Sequence, residues 1–227
     1  MNKVLLSPSI LSANFCILGK EIKNVLKFGA DMIHFDVMDN HYVPNLTFGP
    51  MVLKSIRDYN ISSPIDVHIM AKPVDSLIPL FAKSGASIIT IHPESTYHLN
   101  RTLDLIKENG CKVGVAINPA ISIDFLDDII DKLDIILIMS VDPGFSNQKF
   151  ISNTYKKVQA VKKKILRSNR NISISVDGGI KFCHIYPLLK LGVNIFVIGS
   201  YIFRNSSYKS VIHKIKNSII DFKNLVV

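Results

Sequence analysis

The chain has 227 residues, 48% of them hydrophobic and 20% charged, a balance that excludes a disordered or fibrous protein and suits one domain, residues 1–227, around a large core. No apolar run is long enough to cross a bilayer, so no membrane partner is expected. The net charge of +9 invites a nucleic-acid reading, but Trp is absent, aromatics are only 8%, and no basic–aromatic interleaving occurs, so no specific nucleic-acid partner is expected.

The opening segment MNKVLLSPSI is too short for a signal peptide and lacks a small-residue cleavage site, so it reads as a first strand over 4–10. A helix follows over 15–28, where Leu18, Ile22, Val25 and Leu26 form one apolar stripe and Gly29 stands at the C-terminal cap. Strands over 32–38 and 64–70 come next, then a helix over 76–84 with Asp75 as N-cap, Pro79 in its first turn and Gly85 at its end. After a strand over 86–92, Leu99, Leu103 and Ile106 mark a helix over 98–109 that stops at Gly110. Strands over 112–118 and 135–141 precede YKKVQAVKKKILR, in which Tyr155, Val158, Val161 and Ile165 face inward. Its Lys156, Lys157, Lys162, Lys163, Lys164 and Arg167 read as a solvated helix face. Strands over 172–178 and 195–200 and a helix over 206–222, with Val211, Ile212, Ile215 and Ile219 inward, complete the pattern.

The strand-like runs are apolar throughout, as in a parallel sheet buried on both faces. Eight strands alternating with helices, at about 28 residues per unit, predict an α/β fold of the (β/α)8 TIM-barrel type. An open doubly wound sheet is disfavoured because no GxGxxG follows an early strand.

Active sites of such barrels gather at the C-terminal strand ends. Strand side chains alternate, so His34, Asp36 and Met38 share a face, as do His68 and Met70 in DVHIM. A lone buried carboxylate is costly unless it is paired or binds a metal. His34, Asp36, His68 and Asp177 (from SVDGGI) therefore make a four-ligand set for one divalent transition metal, zinc foremost, with Fe(II), manganese or cobalt also suited. Asp66 faces the interior one layer deeper and reads as an outer partner or a polar plug rather than a ligand.

A phosphate site is expected from the loops after strands seven and eight, with Gly178 and Gly179 in DGGI and Gly199 and Ser200 in IGS. VDPGFSNQKF adds a loop after strand six, bringing Gly144 and Phe145 near the mouth. Met38, Met70 and Met139 would line the space above the metal layer. These features specify a phosphorylated small molecule whose reacting carbon lies beside a metal. Asp36 and Asp177, on separate strands, suit removal of a proton from one face of that carbon and return to the other, through an ene-diolate stabilised by the metal.

In order along the chain, SPSILSANF (7–15), MIHFDVMDNHYVPNLTFGP (32–50), DVHIM (66–70), AINPA (116–120), IMSVDPGF (138–145), SVDGGI (175–180) and VIGSYIF (197–203) resemble the ribulose-phosphate 3-epimerase family of the pentose phosphate pathway. The resemblance implies a ribulose-phosphate-binding barrel that interconverts D-ribulose 5-phosphate and D-xylulose 5-phosphate at C3. It implies metal binding by His34, Asp36, His68 and Asp177, with Asp36 and Asp177 as the catalytic acid/base pair. It also implies substrate contacts from Ser9, His68, Met38, Met70, Met139, Gly144, Gly178, Gly179, Gly199 and Ser200. A sister epimerase acting on a six-carbon ketose phosphate, such as allulose 6-phosphate, would share these motifs.

One departure falls at Ser146-Asn147, where the family usually has Gly-Gly; both residues keep backbone N–H groups, and Asn tolerates positive φ. Another is Asn14, where Asp is common; either residue caps a helix well. Family members form homo-oligomers, so a dimer or hexamer is implied. Three widely spaced cysteines, Cys16, Cys111 and Cys183, form no CxxC and suggest reduced thiols in a cytoplasmic compartment. Asp39 and His41, beyond the second strand, read as loop residues.

Overall fold

Runs of Ile and Val favour extended chain, and here eight of them pair in parallel in a computed structural model that describes residues 3–226. They are β1 (Leu5–Ser7), β2 (Ile33–Met38), β3 (Ile65–Met70), β4 (Ile88–Ile91), β5 (Lys112–Ile117), β6 (Ile135–Met139), β7 (Ser173–Asp177) and β8 (Ile195–Val197). The order β1-β8-β7-β6-β5-β4-β3-β2 curls into a barrel. A parallel bridge between Ser9 and His34 completes the ring, with His34 N donating to Pro8 O at 3.0 Å and Asp31 N to Leu6 O at 2.9 Å. Every expected strand is present, most of them shorter at the C-terminal end, where the chain turns into the loops of the mouth.

The helices are α1 (Leu18–Lys27), α2 (Pro50–Asp58), α3 (Ile78–Lys83), α4 (Leu99–Glu108), α5 (Thr154–Ser168), α6 (Phe182–Lys190), α7 (Ser200–Phe203) and α8 (Tyr208–Val226). The glycines expected to stop α1, α3 and α4 all lie at positive φ. Asn14 caps the short 3-10 turn before α1 by accepting from Cys16 N at 3.1 Å. Between β5 and β6 the crossover carries two 3-10 helices, Asp124–Asp128 and Ile130–Lys132, and no α-helix. The segment after β8 begins at Ser200 as the short α7, so Ser200 opens a helix and is not part of a strand.

Two expectations are corrected. Asp75 does not cap α3, whose N-cap is Leu77; its carboxylate instead accepts from Thr96 Oγ1 at 3.2 Å and Thr102 Oγ1 at 2.7 Å. Lys157 is not part of a solvated face, because its Nζ donates to the carbonyls of Asn118, Pro119 and Ile121 at 2.8, 2.7 and 2.8 Å. An ammonium has three donors, and these three carbonyls use all of them, tying α5 to the loop after β5.

Inside the barrel, Met32, Ile88, Ile135 and Ile195 form an apolar floor with Leu5. Above it the interior divides. Ala116, Leu137, Met139 and Val197 form a dry cluster beneath one part of the mouth. On the other side β2, β3 and β4 contribute His34, Asp36, Asp66, His68 and Thr90, all buried. The ionisable groups are thus confined to two neighbouring strands, β2 and β3, with Thr90 of β4 beside them and Asp177 of β7 reaching them across the ring.

Candidate active site

The register of β2 on β3 sets His34 opposite Asp66 and Asp36 opposite His68. Because alternate residues of a strand point the same way, this pairing stacks four ionisable side chains in two layers on the inner wall. His34 Nδ1 lies 3.0 Å from Asp66 Oδ2, and Asp66 Oδ1 accepts from Thr90 Oγ1 at 2.8 Å. The outer partner expected in Asp66 therefore serves His34. With Nδ1 turned to Asp66, His34 presents Nε2 upward, 3.2 Å from Asp36 Oδ1, 3.4 Å from His68 Nδ1 and 3.8 Å from Asp177 Oδ2. His68 Nδ1 is itself 3.2 Å from Asp36 Oδ1.

His34, Asp36, His68 and Asp177 each offer a ligand atom, all within 4.8 Å of one another. A tetrahedral zinc with bonds of about 2.0–2.1 Å needs ligand atoms roughly 3.3–3.4 Å apart. Four of the six separations, 3.2, 3.2, 3.4 and 3.8 Å, lie near that value and all six stay within 4.8 Å, so a small inward movement of Asp177 lets the four residues close on one small divalent cation. The donor set, two imidazoles and two carboxylates, suits the same ions.

Electrostatics agree. Burial would lower His34, but the charges of Asp36 and Asp66 and their hydrogen bonds outweigh it and raise its affinity for a proton well above the usual histidine range. Burial would raise Asp36, but His34 and His68 outweigh it and hold Asp36 well below the usual carboxylate range. Burial pushes Asp177 up and the neighbouring Asp36 charge adds to this, bringing its carboxyl to about 6. The cluster thus favours positive charge at its centre, and it pulls its two front carboxyls in opposite directions.

Asp36 divides its oxygens. Oδ1 faces the two histidines, while Oδ2 accepts from Ser9 Oγ at 2.6 Å. Ser9, Asp36, Met38, Met70, Met139, Gly144, Asp177, Gly178, Gly179, Gly199 and Ser200, all singled out in the sequence, line one cavity of about 530 Å³ including space open to solvent. His34 and His68 lie beneath it, wholly buried. Phe145 is at this mouth too, half its surface exposed.

The loops around the mouth need their glycines. A side chain at Gly179, at φ 61°, would come within 2.6 Å of Gln148 O and 2.8 Å of Phe150 N. At Gly178 it would come within 2.4 Å of Val141 Cγ2. Asn147, one of the two departures at the loop after β6, takes φ 64°, whereas Ser146 stays outside the left-handed region. Asn replaces Gly only where the chain needs a left-handed residue, and Asn is the side chain best able to supply one.

Four further residues organise this site and were not marked as functional in the sequence. Ser140 is buried with Oγ 2.7 Å from Asp177 O and 2.5 Å from Gly178 O, pinning the end of β7 to the end of β6. Asn45 Nδ2 donates to Gly144 O at 2.7 Å, tying the loop after β2 to the loop after β6. Asp39, read as a plain loop residue, accepts from the backbone N–H groups of His41, Tyr42 and Lys72 at 2.8, 2.9 and 2.8 Å and holds that loop in shape. His92, just past β4, lies against His68; strand parity with Ile88 and Thr90 is a signal that could have found it.

The fold and this cluster define a (β/α)8-barrel enzyme with a buried two-His, two-Asp centre under a glycine-looped mouth. A model of the ribulose-phosphate 3 epimerase family matches residues 5–203. The ribulose-phosphate 3-epimerase of Buchnera aphidicola subsp. Acyrthosiphon pisum is 58% identical over 219 residues, which cover 96% of this chain and 96% of that one. That of Escherichia coli strain K12 is 53% identical over 219 residues, covering 96% and 97%. The chain belongs to the ribulose-phosphate 3-epimerase family and is an isomerase. More distant likeness is of fold alone: KGPDC from Streptococcus mutans superposes with TM-score 0.74 at 13% identity, covering 97% of this chain and 99% of that chain. A tryptophan synthase α-subunit variant from Pyrococcus furiosus gives 0.69 at 16% identity, covering 95% and 98%.

Proposed function

We propose that this enzyme interconverts D-ribulose 5-phosphate and D-xylulose 5-phosphate by epimerisation at C3, with Asp36 and Asp177 moving the proton. The observation that carries the reading is geometric: Asp36 and Asp177 come from separate strands to one cluster whose ligand atoms lie within 4.8 Å of one another, and both carboxyls line the cavity at the mouth. An acid and a base of the same chemical type are what a proton transfer between two faces of a carbon requires. Asp36 stands on β2 and Asp177 on β7, with β8 and β1 between them on one side and β3 to β6 on the other, so they meet the substrate from different sides.

Asp36 Oδ2, turned away from the histidines, is the oxygen free to take or return the C3 proton, and Ser9 holds it in line. Asp177 serves the opposite face, and the roles exchange in the reverse direction. His34 through Nε2, His68 through Nδ1, Asp36 and Asp177 would hold a divalent cation, zinc foremost. Such a cation, when bound, supplies Lewis acidity beside the carbonyl and hydroxyl oxygens of the ketose. Met38, Met70 and Met139 are buried around this space and keep water from the reacting carbon. Backbone N–H groups of the loops at Gly144, Gly178, Gly179, Gly199 and Ser200 form the anion-binding side of the cavity.

The relatives more than 50% identical carry the name ribulose-phosphate 3-epimerase, which favours the five-carbon substrate over a six-carbon one. A homo-oligomer is supported by exposed Phe15, Ile17 and Tyr59 lining one apolar groove. The deciding experiment runs the reaction in deuterium oxide with the D36N and D177N variants. Loss of deuterium incorporation at C3 by about 10²–10⁴-fold in each is expected. Wild-type incorporation in either variant would remove that residue from the proton transfer.

A further inference from the structure

His92 has no part in the reaction just described, yet it is wholly buried against a proposed ligand. Its Nε2 lies 2.8 Å from Nε2 of His68, and the two rings meet edge to edge, with centroids 5.0 Å apart and planes 29° from parallel. Two imidazole nitrogens at that distance share one hydrogen, so one ring donates and the other accepts. His68 meets the cluster with its other nitrogen, Nδ1, 3.2 Å from Asp36 Oδ1 and 3.4 Å from His34 Nε2. A ring that gives its Nδ1 lone pair to a cation carries its proton on Nε2. Among the described residues, that proton meets His92.

We infer that His92 is a positioning residue for the cation site: its Nε2 accepts the Nε2–H of His68, which fixes the tautomer and plane that turn His68 Nδ1 into the cluster. The inference rests on the proposal that the cluster binds a divalent cation. Ligating histidines are commonly oriented by an acceptor on their outer nitrogen. Here His34 has Asp66 at 3.0 Å in that role, and His92 completes the pair.

The two outer partners differ in kind. Asp66 is a carboxylate fixed by Thr90, whereas His92 is a ring backed by other rings and amides. Tyr42 packs against it with centroids 4.9 Å apart, and the Tyr42 hydroxyl accepts from Asn118 Nδ2 at 2.9 Å. The Asn118 backbone carbonyl is held by Lys157 Nζ at 2.8 Å. The ring plane is therefore set from behind by residues of the loops after β2 and β5 and by α5. The remaining nitrogen, His92 Nδ1, is buried without a hydrogen-bond partner among the described residues, so the ring is anchored to them through Nε2.

The test titrates the full-length protein with zinc and with cobalt(II) against a competing chelator, for wild type, H92F and H92Q. Phe keeps a ring but has no acceptor, and Gln restores an acceptor oxygen. H92F is expected to bind either ion about 10–100-fold more weakly, with an altered cobalt(II) absorption spectrum, and H92Q to recover most of that loss. Metal-free thermal unfolding of H92Q should match wild type. Binding by H92F within twofold of wild type would overturn the inference, as would H92Q as weak as H92F. Should H92F not fold, nitrogen-15 NMR of the zinc-loaded wild type decides: an unprotonated His92 Nε2 coupled to His68 Nε2 is expected, and a protonated one overturns it. Wild-type protein that takes up neither ion would overturn the cation reading itself, an outcome distinct from normal binding by H92F.

Discussion

His34 and Asp66 are direct neighbours in the β2–β3 register, and the 3.0 Å contact between Nδ1 and Oδ2 turns the other nitrogen of His34 toward the mouth. The carboxylate orients the ring and adds negative charge behind it. In D66N the amide keeps an acceptor for Nδ1–H but loses the charge. Affinity for zinc should fall by roughly 10-fold or more, while D66N retains the fold. Competition with a chelator measures it, and unchanged affinity would deny Asp66 an electrostatic role.

Ser9 offers a way to separate the two oxygens of Asp36. S9A removes the 2.6 Å bond to Oδ2 and leaves the Oδ1 contacts with His34 and His68 intact. A hydrogen bond to a charged group contributes about 1.5–3 kcal/mol, so turnover should drop by roughly 10–100-fold. Zinc content by elemental analysis should stay at the wild-type level. A parallel loss of metal would mean that Ser9 orients the whole carboxylate.

Asp177 gives a pH signature to the metal-free protein. Its carboxyl, at about 6 in the fold against an ordinary 3.8, binds a proton more tightly folded than unfolded. That stabilisation is complete below the ordinary value and is lost as pH rises through about 6. Metal-free D177N, which carries no charge, should therefore be more stable than metal-free wild type above that pH, by on the order of 2 kcal/mol, and the gain should vanish in acid. With zinc added the sign should reverse, because the variant would lack one of the four proposed ligands. Thermal melts with and without chelator test both halves.

Asn147 at φ 64° probes the loop beside Gly144 and Gly179. N147G keeps the conformation without strain and should leave KM within about twofold. N147V places a β-branched residue in the left-handed region, at a cost of about 1–2 kcal/mol, and should raise KM with little change in kcat. Equal KM values for the two variants would show that the loop does not hold its shape during binding.

Removing the cation is the simplest check on the cluster as a whole. Prolonged dialysis against a chelator should abolish most activity, and zinc, cobalt(II) or manganese should restore it. Full activity in metal-free protein would leave His34 and His68 with a structural role alone.

The barrel was legible because its signals are local. β-branched runs mark strands wherever they fall, and the apolar stripes of α1, α4, α5 and α8 read directly as helix faces. The glycine stops at Gly29, Gly85 and Gly110 were equally plain. Where local chemistry had two outlets, reading failed. Asp75 is a good capping residue, but two threonine hydroxyls from the next unit reach it first. Lys157 has the spacing of a solvated lysine, yet three free carbonyls lie within its reach.

For the site, strand parity alone determined that His34, Asp36, Asp66, His68 and their methionine neighbours face the interior, and the order of motifs along the chain determined which others join them. The tertiary structure decided which atom faces which. Closing the ring set Asp177 of β7 beside Asp36 of β2, 141 positions away along the chain. The register assigned Asp66 to His34 and left His68 to His92, and the loops brought Asn45 to Gly144. Alternation is a property of each strand by itself, so it can be read from the chain. The choice between the two nitrogens of a histidine depends on partners from other strands, and only packing supplies them.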